Sequence, residues 1–241
     1  PIEFTAAGLP GGLMLDAKTG RITGVLVKRG TFPVTLRARN SRGQTERLFR
    51  IVCGDTIALT PPMGWSSWYM AYTNISDKMV RAQAEAMVKS GLINHGYSYI
   101  NIDDGWNIKP GATDPAIGGE TRDAAGSLRS NKNFPDMKAL CDAVHELGLK
   151  IGIYISPGPK TCGDYAGSLG HEEQDARQFT AWGFDFLKYD WCTYGDVAPD
   201  KSLESLKKPY ILMRAALDKV GRDMVYNLCQ YGMGNVWEWG R

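Results

Sequence analysis

The sequence predicts an α/β protein: the first five βα units of a (β/α)8 TIM barrel, preceded by a small all-β module. The first observation is that residues 1–54 consist of turn clusters and short alternating segments, as all-β modules do. The second is that short apolar segments alternate with helical ones over residues 55–241, which we interpret as the N-terminal part of the barrel. The third is that these apolar segments recur roughly every 35–50 residues and end in polar or aromatic side chains, as barrel strands do.

The N-terminal module, residues 1–54, is built from turns and short strands. Glycine-rich turns at residues 8–12 and 18–20 separate the first apolar segments. Residues 40–43 predict a hairpin turn after an alternating strand. The pattern GLPGGLMLDAKTGRITG…GTFPVTLRARNSRG resembles the Ig-like modules found beside bacterial carbohydrate-active and surface proteins. This resemblance implies a spacer or an interaction module, and the segment shows no catalytic constellation.

The first two βα units lead to a pair of carboxylates. Residues 63–68 predict a strand end and its loop, and Ser76 is a favourable N-cap for a helix that ends before Gly91. Residues 97–104 predict the second strand, which ends in Asp103 and Asp104. The irregular stretch that follows, residues 105–133, is long for a βα loop, and such loops on rigid barrels usually build a site or its rim.

The third and fourth strands carry the most informative charges. The third covers residues 150–156, and a helix over residues 171–182 leads to the fourth, residues 184–192. Lys188 and Asp190 are two residues apart, so both side chains project from the same face of this strand. Charge confined to the carboxyl end of a buried strand is typical of a functional site in a barrel. A structural ion pair is the alternative interpretation.

A fifth strand, residues 224–229, ends at Gln230. Because eight strands close a TIM barrel, we expect either that the chain is a fragment or that three βα units were removed. The chain starts abruptly at Pro1 in predicted strand, so we expect the natural N-terminus to precede it.

The composition argues against several classes of function. The 241 residues carry a net charge of +2 with 22% charged residues, which is too balanced to imply nucleic acid or an acidic membrane surface as a partner. No apolar run is long enough to span a bilayer. The five cysteines lack metal-binding spacing and the three histidines are scattered, so we expect neither a metal nor a cofactor. The oligomeric state stays open.

We expect seven side chains at the strand ends to lie together at the carboxyl-terminal face of the predicted barrel. They are Trp65, Asp103, Asp104, Tyr154, Lys188, Asp190 and Gln230. Carboxylates and an ammonium group exchange hydrogen bonds with sugar hydroxyls, while aromatic rings cover the apolar face of a pyranose. Two alternatives are that the Asp103–Asp104 pair holds Mg²⁺, or that the carboxylates simply pair with Lys188. The absence of a phosphate-binding glycine-rich loop from the sequence of these units weakens the version with a metal and a phosphate.

Four motifs, taken together, resemble a known family. They are LTPPMGWSSW, YINIDDGW, GLKIGIYISPGPKTCGDYAGSLGHEEQDARQFTAWGFDFLKYDWC and LCQYG. They resemble successive motifs of glycoside hydrolase family 27, the α-galactosidase and α-N-acetylgalactosaminidase family, and cover about residues 57–241 in order and spacing. The resemblance implies a retaining exo-glycosidase that hydrolyses terminal α-linked galactose through a covalent glycosyl-Asp intermediate.

The resemblance also implies roles for individual residues. Asp190 resembles the nucleophile, and Lys188 with the Asp103–Asp104 pair matches residues that bind galactose hydroxyls. Trp65 and Tyr154 match residues that line the sugar pocket, and Gln230 lies where the group at the sugar 2-position is recognised. Cys162 and Cys192 match a disulfide, which requires an oxidising compartment, so we expect a secreted or periplasmic protein. We expect Cys53, Cys141 and Cys229 to be free.

Three positions depart from the family pattern. Gly105 stands where many relatives have a cysteine, and Gln230 stands where α-galactosidases often carry glutamate. The general acid/base of the family is an aspartate after a sixth strand, so we expect the 241 residues alone to lack hydrolase activity, with Glu238 the first candidate acid otherwise. Other activities of the family are alternatives: α-N-acetylgalactosaminidase, β-L-arabinopyranosidase and isomaltodextranase. A galactose-binding module without turnover is the non-enzymatic alternative.

Overall fold

A computed structural model describes residues 1–240 of the chain. The chain divides into two compact units, one over Pro1–Leu59 and one that begins at Thr60.

The N-terminal unit consists of antiparallel strands. They are β1 (Glu3–Ala7), β2 (Leu13–Leu15), β3 (Ile22–Gly24), β4 (Gly30–Asn40) and β5 (Gly43–Cys53). One sheet has the order β1-β4-β5, and β2 pairs with β3. The predicted hairpin turn is confirmed, because Asn40 pairs with Gly43 and the Arg42 amide donates to Asn40 Oδ1 at 2.8 Å. The central strand buries Val34 completely, so this short unit has a small apolar core.

The second unit alternates strands and helices. Its elements are β6 (Met63–Ser66), α1 (Trp68–Ala71), α2 (Asp77–Lys89), β7 (Tyr97–Asn101), α3 (Met137–Glu146), β8 (Lys150–Ile155), α4 (Glu172–Trp182), β9 (Phe186–Asp190), α5 (Leu203–Asp218), β10 (Val225–Cys229) and α6 (Val236–Trp239), with short 3₁₀ helices at Leu92–His95 and Cys192–Asp196. All five strands are parallel and lie in the order β10-β9-β8-β7-β6 in one curled sheet. The predicted α/β class and the five sequential parallel strands are therefore confirmed.

Capping residues mark the observed helix ends, and the predicted N-cap Ser76 is confirmed. Ser76 Oγ accepts the amide of Met79 at the start of α2, and Asp136 Oδ1 accepts the amide of Ala139 at the start of α3. Gly183 ends α4 in the left-handed region, at φ 102°, which a residue with a side chain rarely adopts. Between these ends, the apolar faces of α2 to α5 pack with the strands into one core that includes Val80, Leu140, Phe179, Met213, Ile151 and Leu187. Each such side chain contributes about 1.5–3 kcal/mol by leaving water.

The long loop after β7 contains no helix or strand over residues 105–133, within the part of the chain that the structure describes. The middle of this loop is nevertheless held in place by an ion pair. Arg122 forms two hydrogen bonds, of 2.7 and 2.9 Å, with the carboxylate of Asp175 in α4, which also accepts from Ser168 Oγ. Because Asp175 is fully buried, this ion pair holds the loop against α4.

The third and fifth strands are each one residue shorter than predicted, and the second and fourth differ more. The second ends at Asn101, because the amide of Asp103 turns away to donate to Ser67 Oγ at 2.8 Å. The fourth covers Phe186–Asp190 only. Asp185 precedes it and accepts hydrogen bonds from His145 and Arg222 at the amino end of the sheet. Asp185 is thus at the opposite end of the strand from Asp190.

Candidate active site

The carboxyl ends of four parallel strands position the candidate site. Lys188 and Asp190 lie on β9, two residues apart, and Lys188 Nζ is 3.9 Å from Asp190 Oδ2. The prediction that these two side chains share a face is therefore confirmed. Parallel pairing brings Tyr154 of β8 opposite Lys188, and Cys229 of β10 opposite Asp190.

Lys188 is held between a carboxylate and an aromatic ring. Its Nζ donates to Asp103 Oδ2 at 2.9 Å and lies 4.9 Å from the centre of the Tyr154 ring. Burial opposes the charge of Lys188, but Asp103 outweighs it, so the pKa of Lys188 is raised. The group is therefore an ammonium ion at neutral pH, with N–H donors directed into the site.

Asp190 is almost completely buried and receives two phenolic hydroxyls. Tyr154 Oη donates to Oδ2 at 3.2 Å, and Tyr231 Oη donates to Oδ1 at 2.5 Å. Only 6% of Asp190 is exposed. Burial, followed by the nearby carboxylates, raises the pKa of Tyr154 far above its usual range, so its hydroxyl stays a donor.

Asp104 is a buried carboxylate that is only half satisfied. Its Oδ2 accepts from the backbone amide of Gly163 at 2.7 Å, whereas Oδ1 has no hydrogen-bond partner among residues 1–240. Burial raises the pKa of Asp104 to about 6, although Thr161 and Gly163 counteract this shift. A buried oxygen without a partner is costly, which makes it a position for an external donor such as a hydroxyl.

Gln230 is the second unsatisfied group. It is 1% exposed, and neither its amide nitrogen nor its amide oxygen has a partner in the described part of the chain. It lies between Cys229, which pairs with Asp190, and Tyr231, which donates to Asp190. One buried donor and one buried acceptor are thus available beside the carboxylate.

The predicted disulfide is confirmed. Cys162 and Cys192 are bonded, with Cα atoms 5.0 Å apart, and Cys53, Cys141 and Cys229 are free. The bond joins the loop after β8 to the residue two positions beyond Asp190. Among the described residues, one group of donor atoms is close enough for a metal ion, namely Cys162, Asp190 and Cys192. Both sulfur atoms are used in the disulfide, so they offer no thiolate to a metal.

The structure brings most of the predicted residues together. Asp103, Lys188, Tyr154 and Asp190 form one connected cluster, and Asp104 and Gln230 adjoin it along the chain. Trp65 lines a cavity of about 280 Å³ with side chains of β7, β9 and β10 such as Asn101 and Asn227, and the other six predicted residues do not line it.

Three site residues were not predicted from the sequence. Tyr231 bonds Asp190, Ser67 fixes the backbone at Asp103, and Gly163 binds Asp104. Tyr231 directly follows Gln230 at a strand end, so its position was a usable signal. Ser67 is 36 residues from Asp103 along the chain, and Gly163 is 59 residues from Asp104. No local sequence pattern reveals contacts over such separations.

Solved structures with this fold include α-galactosidases. A putative α-galactosidase/melibiase from Bacteroides fragilis matches with a TM-score of 0.88 and 38% identity, covering 100% of this chain and 48% of that one. α-Galactosidase I from Mortierella vinacea matches with a TM-score of 0.70 and 35% identity, covering 78% of this chain and 45% of that one. The parallel sheet thus has the fold of a glycoside hydrolase domain.

The chain belongs to the family described as alpha galactosidase A, whose model matches residues 60–238. A second model, described as "Putative Ig domain", matches residues 1–54. Alpha-galactosidase A of Cellvibrio japonicus is 44% identical over 78% of this chain and 42% of its own length. The α-galactosidase of Coffea arabica is 40% identical over 83% of this chain and 49% of its own length. The chain thus spans about half the length of the curated relatives it matches.

Among residues 1–240, none of the helices combines the length and the apolar character that crossing a bilayer requires.

Proposed function

We propose that this chain is part of a retaining exo-glycosidase that hydrolyses terminal α-linked galactose, with Asp190 as the nucleophile. The observation that carries the proposal is the carboxylate of Asp190, fixed at a strand end beside the Lys188–Asp103 ion pair in a chain of the α-galactosidase family. A carboxylate in this setting is an oriented nucleophile, because donors contact both of its oxygens.

The reaction follows from this geometry in two steps. One oxygen of Asp190 forms a bond to the anomeric carbon while the glycosidic C–O bond breaks and its electron pair goes to the leaving oxygen. A general acid protonates that oxygen; by the family resemblance it is an aspartate after a sixth strand. In the second step the same group takes a proton from water, the water oxygen bonds to the anomeric carbon, and Asp190 leaves as a carboxylate.

The sugar is bound by the groups that the protein leaves unsatisfied. Asp104 Oδ1 and the Gln230 amide are buried without partners among residues 1–240, and galactose hydroxyls supply both donors and acceptors. Asp103 and Lys188 bind further hydroxyls, and Gln230 faces the 2-position. Tyr154 lines the pocket with aromatic surface, and by the family resemblance Trp65 adds to that surface.

The remaining assignments belong to the same proposal. Residues 55–241 are the N-terminal part of a (β/α)8 barrel. Residues 1–54 are an Ig-like module, which the match of that segment to an Ig-domain model supports. The Cys162–Cys192 disulfide supports a secreted or periplasmic location, because cytosolic thiols stay reduced.

Labelling of the nucleophile tests the proposal. The full-length protein is assayed on an aryl α-galactoside, and the anomer released first is identified by NMR. It is then treated with 2-deoxy-2-fluoro-α-galactosyl fluoride and mapped by mass spectrometry. We expect release of α-galactose and a label on Asp190. A label on another residue, or inverted product, contradicts the proposal.

A further inference from the structure

The two phenols on Asp190 differ in their surroundings. Tyr154, which donates to Oδ2, is 1% exposed, whereas Tyr231, which donates to Oδ1, is 61% exposed. The Tyr231 ring therefore faces solvent while its hydroxyl reaches a carboxylate that is almost completely buried. This side chain lies across the outer side of Asp190.

The hydroxyl of Tyr231 has a fixed direction. The backbone amide of Cys192 donates to Tyr231 Oη at 3.4 Å, so one lone pair of that oxygen is in use and its own proton points to Asp190. Burial, followed by the hydrogen bond and the charge of Asp190, raises the pKa of Tyr231 far above its usual range. Tyr231 is thus a donor to the carboxylate at neutral pH.

Two unusual backbone conformations produce this contact. Tyr231 has φ +58° and Cys192 has φ +37°, in the region that residues other than glycine rarely adopt. Such conformations are costly and persist where surrounding contacts enforce them, most often at functional sites. Here both residues meet at the Tyr231 hydroxyl, and the disulfide from Cys192 to Cys162 holds one of them in place.

We propose that Tyr231 is a positioning residue for the nucleophile, an inference that rests on the proposed function. Its hydroxyl holds Oδ1 as the oxygen that does not attack, so that Oδ2 attacks the anomeric carbon. Oδ2 is the oxygen 3.9 Å from Lys188, which itself bonds Asp103 at 2.9 Å, so it faces the hydroxyl-binding groups. Tyr154 uses one lone pair of Oδ2 and leaves the other for the sugar.

The role of Tyr231 changes between the two steps. In the glycosyl-enzyme, Oδ1 is the carbonyl oxygen of an ester and carries little charge. When water releases the sugar, the bond between Oδ2 and the anomeric carbon breaks, its electron pair stays on Asp190, and charge returns to both oxygens. The hydrogen bond from Tyr231 strengthens as this charge develops. Tyr231 therefore accelerates release more than attack.

The test compares Tyr231→Phe with Tyr69→Phe in the full-length protein. Tyr69 is 89% exposed, and its variant makes the same chemical change away from Asp190. With an aryl α-galactoside that has a good leaving group, we expect Tyr231→Phe to lower kcat about 10-fold or more, as loss of a hydrogen bond to a charged group does. KM should fall with it, because the glycosyl-enzyme accumulates and is visible by mass spectrometry. Tyr69→Phe should match the wild type.

Each other outcome decides against the inference. A Tyr231→Phe enzyme with kcat within about threefold of the wild type overturns it. So does a lower kcat with unchanged KM and no accumulated intermediate, which indicates a merely structural role. If the wild type forms no glycosyl-Asp190, the proposed function fails and the inference fails with it. A crystal structure of the trapped wild-type intermediate is independent of folding in the variant: an ester through Oδ2 with Tyr231 on Oδ1 is expected, and an ester through Oδ1 overturns the inference.

Discussion

Both ends of the parallel sheet carry clusters of charged side chains, but the clusters differ in how completely their polar atoms are hydrogen-bonded. At the amino end, both oxygens of Asp185 are used: Oδ1 accepts from Arg222 at 2.7 Å, and Oδ2 accepts from His145 at 2.7 Å and from the Ile151 amide at 3.0 Å. At the carboxyl end, Asp104 Oδ1 and both polar atoms of Gln230 lack partners among residues 1–240.

The difference separates a structural cluster from a binding site. A buried polar group without a partner costs stability, so a protein keeps it where a ligand satisfies it. Asp185 joins α3, β8 and the segment before β10, and it leaves nothing for a ligand to bind. At the carboxyl end, by contrast, Asp104 and Gln230 have hydrogen-bonding atoms that a ligand can pair with. Charge alone therefore does not identify the site, whereas a charged cluster that also contains unsatisfied polar atoms does.

The largest expected effect is that of Asp190→Asn, which tests the carboxyl end. In the full-length protein this change should lower turnover of an aryl α-galactoside by about 10³-fold or more, because the amide cannot form the covalent intermediate. Galactose binding, measured by calorimetry, should change little. Asp142→Asn, on the exposed side of α3, is the control and should keep full activity. Turnover of Asp190→Asn within about tenfold of the wild type removes this residue from the nucleophile role.

The next largest expected effect is a loss of stability when the cluster at the amino end of the sheet is disrupted. Asp185→Ala should destabilise the full-length protein by about 3 kcal/mol, because it leaves His145, Arg222 and the Ile151 amide without their acceptor. The denaturant midpoint measures this, while kcat per folded molecule should stay unchanged. Asp218→Ala removes the exposed Arg214–Asp218 pair and should cost less than about 1 kcal/mol. Equal losses in the two variants would contradict a structural role specific to Asp185.

The same residue predicts a pH dependence. Burial works against ionisation of Asp185, but the bonds from His145 and Ile151 outweigh it, so its pKa lies below the usual 3.8. The stabilisation by Asp185 is therefore present above pH 3.8 and is lost as pH falls through the lowered pKa of the folded state. The midpoints of the wild type and Asp185→Ala should converge toward acid pH. A constant difference would show that packing, rather than the charge, dominates.

The smallest expected effect is a gain in stability, from Asp104→Asn. The pKa of Asp104 is raised from 3.8 to about 6 in the folded protein, so its ionisation costs stability as pH rises from about 4 to 6. Asp104→Asn removes this charge and should stabilise the ligand-free protein by about 1–2 kcal/mol at pH 7.5, and by almost nothing at pH 4. It should also weaken galactose binding. Melting curves at the two pH values measure the first effect, and a stability gain that does not depend on pH would contradict the account.

Several features of the site were predictable because they depend on neighbouring residues in the chain. The two-residue spacing of Lys188 and Asp190 predicted one shared face, and the structure confirms it. Ser76 predicted a helix start from the chemistry of capping. Asp185 shows the limit: it was included in the same strand as Asp190, whereas the structure places it before the strand and in a different cluster.

The sequence by itself determined the alternation of strands and helices, the parallel sheet and the charged strand ends, since each depends on periodicity and capping within a few residues. Only the tertiary structure decided which charges are satisfied. Tyr231 reaches Asp190 across 41 residues, and Gly163 reaches Asp104 across 59. Such contacts depend on which strands become neighbours and on loop backbone angles that the whole fold enforces. Local propensity carries no information about them, because hydrogen bonding between distant residues is settled only when the strands pack.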